Sequence, residues 1–388
     1  MSLADRTQLS WVVEGVYGTF PAASTAKELR FTSESLQGEK NTVDSSEIRD
    51  DRQVTEVVRT ATSVSGDVNV ELSYTDYETW MLYALQALSW AAEVDTITAT
   101  ATLTFATNTI TTSSTWDTTP TAGSWIKVSG ATDDTSNNGY FKVSSVVADA
   151  PSSTVITVLQ TLSAQVESGS VTIKELSQCT NGTTQKSIAM VRNYSDLSTT
   201  FEEFDGCVID SMSWNFAPES IVTGSFSFVG SDAVSTTSST ATTITDAGTE
   251  PIFNCVDDVL KMEENNSTLS ITNFSFSVNN NLRMRREIGT LGPTSVGAGQ
   301  AMVEGTLQAY FTTADQFNRF LNHTQTSLSL VAEDSDGNAY IFSFPAVQFT
   351  SGARVAGGVS TDIIADFAWR AERDTLSDEM IQIAKFEA

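Results

Sequence analysis

VELSYTDYETWMLYAL (70–85) and LQAYFTTADQFNRFLN (307–322) decide the fold, because they are one pattern written twice. At an offset of 237, Val70 falls on Leu307, Leu72 on Ala309, Tyr74 on Phe311, Trp80 on Phe317, Tyr83 on Phe320 and Ala84 on Leu321. Each copy alternates apolar and polar residues as a half-buried strand does, then turns to the i, i+3, i+4 spacing of a short helix. Thr75 with Glu78 reads as a capping box, and Thr312 with Asp315 as a weaker one.

Working outward, KSIAMVRNYSDLSTTFEEFDGCVIDSM (186–212) lies over TSLSLVAEDSDGNAYIFSFPAVQFTSG (326–352) without a gap, at an offset of 140. One residue later in register, GSFSF (224–228) meets ADFAW (365–369), and LRFTS (29–33) resembles FSFSV (274–278). Matches in the same order predict an internal duplication. The first offset exceeds the second by 97 residues, which places an insertion in the first copy at about residues 92–176. It contains TITATATLTF, SWIKVSG, YFKVSSVV, STVITVL and SVTIKE, five or so short strands with Asn/Gly/Asp turns between them, enough for a small sandwich or barrel. AVSTTSSTATTITDAGT (233–249) reads as a linker. The expected division is a first domain from residues 1–91 and 177–232, an inserted all-β domain at 92–176, and a second domain at 250–388, each of the two repeats with one short helix.

The 388 residues carry a net charge of −27, with acid spread along the whole chain and no basic stripe to grip nucleic acid. Cys179, Cys207 and Cys255 form no CxxC and read as reduced thiols of a cytosolic protein. MSLADRTQLSWVVEG has no signal-peptide pattern, and no apolar run is long enough to cross a membrane.

Candidate chemistry is sparse. The single histidine, His323, follows the second helix pattern, and its repeat partner Gln86 is no base, so a polar helix end is the favoured reading. One histidine and three scattered cysteines do not supply zinc spacings. DSDGN (334–338) lacks the sixth-position glycine and twelfth-position glutamate of a calcium loop and reads as a hairpin turn. Glu202-Glu203 and Asp257-Asp258 are the carboxylate pairs a glycosidase would need, and nothing distinguishes them among 48 acids. Trp116 and Trp125 suggest a sugar platform in the insertion, with core packing preferred. These features predict neither a catalytic site nor a cofactor. They keep a surface adhesin or carbohydrate-binding β-protein, with the insertion as its head, as the alternative.

One stretch resists that inventory. SEIRDDRQV (46–54) sits inside a 30-residue segment (36–65) between two strand patterns, and reads as a long mixed-charge loop. With it, VVEGVYGTFPAASTAKELRFTSESL, GDVNVELSYTDYETWMLYAL, GTLQAYFTTADQFNRFLN, SLSLVAEDSDGNAYIFSFPAVQFTSG and DIIADFAW resemble, in order and texture, the major tail tube proteins of long, flexible-tailed bacteriophages. The resemblance spans nearly all of the chain outside the insertion.

That resemblance implies tail-tube domains, β-sandwich or barrel with a flanking helix, that join edge to edge into rings and stack into the conduit through which DNA leaves the virion. The duplication matches the subgroup with two tube domains per chain, which makes three-chain rings of pseudo-sixfold symmetry with insertions on the outside. The implied partners are the chain itself, the tail tip or baseplate, the tape measure and the tail terminator. DNA passes without specific binding, no membrane is involved, and the tail is assembled in the bacterial host cytoplasm. In such a barrel the polar residues Asp67, Asn69 and Glu71 (with Ser73), and Glu304, Thr306 and Gln308, would line the lumen. The loop bearing Glu47, Arg49, Asp50, Asp51 and Arg52 would dock on the next ring, facing a basic counterpart with Arg283, Arg285 and Arg286, and both would order on stacking.

Overall fold

The computed structural model describes residues 3–97, 102–112, 118–149, 153–167, 171–197, 199–311, 313–354, 358 and 362–388. Runs of Val, Ile, Thr and Phe with period two make the chain mainly β, because branched and aromatic side chains pack on a pleated surface. The described residues contain two short α-helices, α1 (Glu78–Ala84) and α2 (Asp315–Asn322). They form two compact units: Met1–Ala87, Gly182–Phe253 and Ser275–Glu304 in the first, and Leu88–Asn181, Asn254–Phe274 and Gly305–Ala388 in the second.

In the first unit, Thr7–Val13 pairs antiparallel with Ile188–Tyr194, which pairs in turn with Phe201–Phe216. Phe201–Phe216 pairs with Thr223–Gly230, and that strand with Val57–Glu71. Trp80 of α1 anchors this sheet. It is fully buried, edge-on to Phe226 and Phe228 at 5.2 and 5.0 Å, with Trp11 at 6.0 Å. The Ser/Thr-rich run at 233–249 takes part as well: Asp232–Thr236 pairs with Phe201–Phe216, and Thr243–Thr245 runs parallel to Thr25–Glu28.

In the second unit, Thr326–Glu333 and Ala339–Arg354 form a hairpin closed by a tight turn. Gly337, at φ 89°, donates its N–H to Asp334 O at 3.0 Å, and Asp334 Oδ1 accepts from the N–H groups of Asp336 and Asn338. DSDGN is therefore a turn with its carboxylate spent on the backbone. Ile364–Ala371 and Gln382–Phe386 complete this layer. The described strands between Val94 and Glu175 form their own eight-stranded sheet around Phe105, Ile126, Phe141 and Ile156. This sheet is seated firmly on the hairpin. Trp125, Tyr140 and Leu176 share a core with Val331, Ile341 and Phe386, and Lys127 pairs with Glu333 at 3.3 Å.

The two long hairpins agree in detail. The Phe201–Phe216 ladder slips register between Ile209 and Ser211, and the Ala339–Arg354 ladder slips between Phe349 and Ser351, 140 residues on. Met212 faces Phe226, and Gly352 faces Phe367. Register slips of this kind are β-bulge features that locally disrupt a ladder.

Several expectations need correcting. The segment 36–65 is not a loop: Gln37–Asp44 pairs with Val57–Glu71 from Gln37↔Ser65 to Asp44↔Val57, leaving only residues 45–56 as its tip. All eight residues of Gln37–Asp44 are exposed, so no buried face imposed the apolar alternation that announces a strand. The N-cap of α1 is Tyr77 and not Thr75, which lies two residues earlier with φ 65°. Thr312 lies outside the described residues. The buried face of α1 is Trp80, Met81, Leu82 and Ala84, with Tyr83 half-buried, whereas α2 has no buried residue. His323 ends α2 as its C-cap, in the left-handed conformation.

Inside the first unit, burial beside the carboxylates of Glu14, Glu203 and Asp232 pushes Asp205 up from 3.8 to about 7. Between those values the folded chain holds a proton that the unfolded chain has released. Stability from this group is therefore lost as pH rises from about 4 to 7, and the loss is complete above 7. We predict that Asp205→Asn raises Tm relative to the parent at pH 8, by a few degrees, and that the gain shrinks as pH falls and vanishes below about pH 4. A gain independent of pH would show that the carboxyl titrates in the ordinary range.

Candidate assembly surfaces

The hairpin of Gln37–Asp44 and Val57–Glu71 projects as an arm whose residues 46–60 are all exposed. At its base the long strand changes partner: Ser65 faces Gln37, but Asn69 faces Ser33. Gly66 makes the crossing possible. Its φ is +148°, and a Cβ there would stand 2.5 Å from Ser35 O. Gly38 is close-packed for a similar reason, since a Cβ would meet Ala233 Cβ at 2.5 Å.

The arm tip gathers the charges singled out above. Arg49 grips Asp51 with two hydrogen bonds, at 3.0 and 2.8 Å, so the guanidinium holds the Asp51 carboxyl below its usual range. Asp51 Oδ1 also accepts from Gln53 N–H, and Glu47 accepts from the Thr55 hydroxyl at 3.0 Å. Asp50 and Arg52 are exposed, Arg52 with φ 59°.

The basic segment also contains a hairpin, Arg283–Arg285 on Ser295–Gly297. Arg283 and Arg285 are exposed. Arg286 instead donates to Thr62 O at 2.9 Å, and Thr62 N–H donates to Leu291 O at 3.1 Å, which ties this turn to the arm's long strand within the same unit. Arg286 is thus partly committed inside the chain.

The polar face of the long strand is clear. Asp67 and Asn69 are exposed and Glu71 is half-buried, while Val68, Val70 and Leu72 opposite are at most 1% exposed. Ser73 departs from the pattern: it is buried, and its hydroxyl donates to Asp76 Oδ2 at 2.7 Å. Neighbouring strands extend the face with residues the sequence reading missed. Asn69 lies beside Ser225, which lies beside Ser213, and Asp67 beside Ser227, beside Ser211. The alternation in GSFSFVG and DSMSWNF contained that signal. On Met302–Tyr310, Thr306 is exposed, and Glu304 and Gln308 are half-buried.

The other candidates are occupied by structure. Glu202 pairs with Arg192 at 2.6 Å, Glu203 accepts two bonds from Thr240, and Asp258 accepts from Asn254. Trp125 is 1% exposed and belongs to a core; Trp116 lies outside the described residues. A cavity of about 400 Å³ beneath Trp125 and Lys142 has its buried ammonium on Ser343 Oγ at 3.2 Å, facing Asp374 and Glu379. No helix among the described residues is long and apolar enough to cross a membrane.

A mainly β chain with a projecting polar arm and serine-lined strands has the makings of a structural, self-associating protein. The chain belongs to the phage tail tube protein family, whose model matches residues 4–371. It is thus a structural component of a virion tail, of a family that self-assembles into a tube. No curated protein matches the chain.

Since Gly66 alone admits Ser35 and Leu36 at the arm's root, we predict that Gly66→Ala costs about 1–3 kcal/mol in urea unfolding, through strain at a φ that alanine resists. An unchanged midpoint would show that the root relaxes freely.

Proposed function

We propose that this protein polymerises as stacked rings into the tail tube, the acidic-lined conduit through which DNA is ejected. The observation that carries the reading is the pair of long hairpins whose bulges fall 140 residues apart. They support a duplicated tube domain, with the first copy at residues 1–91 and 177–232, an inserted β domain at 92–176, a connecting run at 233–249 and the second copy at 250–388. Two similar domains per chain favour three chains per ring with pseudo-sixfold symmetry, a head-to-tail arrangement that closes.

In this arrangement the face of Asp67, Asn69 and Glu71, with Glu304, Thr306 and Gln308, lines the lumen. Carboxylates, amides and hydroxyls offer phosphate no counter-charge, so DNA slides without the cation contacts that drive non-specific binding. The arm tip, with Glu47, Arg49, Asp50, Asp51 and Arg52, meets the exposed Arg283 and Arg285 of the adjacent ring. Ion pairs there fix register more than they add affinity. The tail tip or baseplate, tape measure and tail terminator bound the tube, and assembly takes place in the bacterial cytoplasm.

Electron microscopy of the purified chain at high concentration tests this, and hollow tubes with threefold rings are the expected result. Sixfold rings would keep the conduit and overturn the pseudo-hexamer, whereas a compact monomer that binds glycans would transfer the case to the adhesin. Two variants sharpen the roles. Arg283→Glu with Arg285→Glu should leave Tm unchanged and abolish tube growth. Asp67→Lys with Asn69→Lys should leave tubes intact but make them retain DNA at low salt, with retention falling steeply as salt rises. Tubes of the lysine variant that ignore DNA would place this face elsewhere.

A further inference from the structure

We infer that the free end of α2 and the adjoining edge of strand Ala339–Arg354 receive the segment around residues 29–36 of a second copy of this chain. The inference rests on the ring reading above and names its joint.

The chain already makes this joint once. Residues 275–304, which the repeat places in the second copy, fold into the first unit. Strand Ile271–Asn279 pairs with Phe201–Phe216, and Asn280 N–H continues the ladder by donating to Asp210 O at 2.8 Å. The Asn280 side-chain amide donates to Ala84 O, in the last turn of α1, at 2.9 Å, and to Ile209 O at 3.2 Å. The contact is closed to solvent: Ala84 is 0% exposed, Asn280 4% and Val278 1%.

Carried through the repeat, each half of that contact has an open counterpart. Ala84 corresponds to Leu321, which is 63% exposed, and α2 as a whole buries no residue. Asp210 corresponds to Thr350, which is exposed. Among the described residues, Ser351, Gly352, Ala353 and Arg354 have Ile364–Ala371 as their only strand partner. From the other side, the match of 29–33 to 274–278 sets Ser33 on Val278 and, two residues further, Ser35 on Asn280; both serines are exposed.

The chain thus shows one joint made and its two halves left unmade at opposite ends of the repeat. A head-to-tail array of repeats requires this, since the second repeat must meet the first repeat of the next copy as the first meets the second. The incoming segment is already extended and held on its own side, by Thr32 N–H on Asn69 O and Ser35 N–H on Asp67 O, each at 2.9 Å. It can add to an exposed edge with little further ordering. The receiving side offers apolar area: Tyr310 is 47% and Ile363 41% exposed, and Phe317 lies under the Arg354 guanidinium at 3.7 Å.

The test uses the full chain with Cys255→Ser. Ser35→Cys combined with Leu321→Cys, treated with a short bifunctional maleimide under assembly conditions, should give a ladder of covalent multimers ending at the ring number. Neither single variant should give it. Leu321→Asp should keep the parent's Tm, because nothing buries that side chain, and lose assembly at least tenfold in critical concentration. Normal tubes from Leu321→Asp, or assembled tubes without the cross-link, would overturn this joint and leave the ring standing. A parent chain that stays monomeric at every concentration would overturn both.

Discussion

An exposed strand leaves a row of N–H and C=O groups whose only other partner is water, and this constraint governs the molecule. The arm is its extreme case. Gln37–Asp44 buries no side chain, so nothing but the ladder to Val57–Glu71 and the cover of its root holds it out. An isolated two-stranded ribbon is marginal in water. This one survives because its long strand continues inward, where Val64, Val68, Val70 and Leu72 are fully packed. The arm is an extension of a core strand.

The same constraint explains why polar residues dominate one face. Along Val57–Glu71 the buried side is apolar and the other is Asp67, Asn69 and Glu71, joined across the ladder by Ser211, Ser213, Ser225 and Ser227. Short hydroxyl side chains favour strand geometry less than valine does, so their recurrence at alternate positions marks a face that must stay wet. In the second unit, Ile364–Ala371 exposes a cation, Arg370, at one of its polar positions.

Where one face of an element is buried, the sequence was readable. The period-two runs at 66–74 and 302–310, the hairpin at 326–354 and its DSDGN turn all carried their signal in the spacing of apolar residues and turn formers. Where no face is buried, it was not. The arm strand QGEKNTVD has charge and amide on both sides, and a ladder of backbone bonds leaves no trace in side-chain pattern. Ser73 misled for the opposite reason: its position in the alternation is polar, but its partner Asp76 lies three residues on, in the turn before α1, and draws it inward. The arm-tip charges were legible as a cluster; that Arg49 would close on Asp51 while Arg286 closed on Thr62 depends on turns that composition does not encode.

The contrast between α1 and α2 shows what sequence similarity can conceal. Both carry an apolar stripe at the same spacing, and both follow a strand directly. Yet α1 buries four side chains and α2 none: Trp80 packs on Trp11, Phe226 and Phe228, and Asn280 closes the last turn at Ala84. Similar patterns reach different burial when their surroundings differ: Ala84 of α1 is enclosed, and Leu321 of α2 is exposed. An exposed leucine at the end of such a stripe, beside a half-paired strand, favours pairing. Under the duplication proposed above, a row of two repeats has one internal joint and two ends. In the proposed ring those ends meet without any new type of contact, and the exposed Leu321 is what such an open end would leave in the single chain.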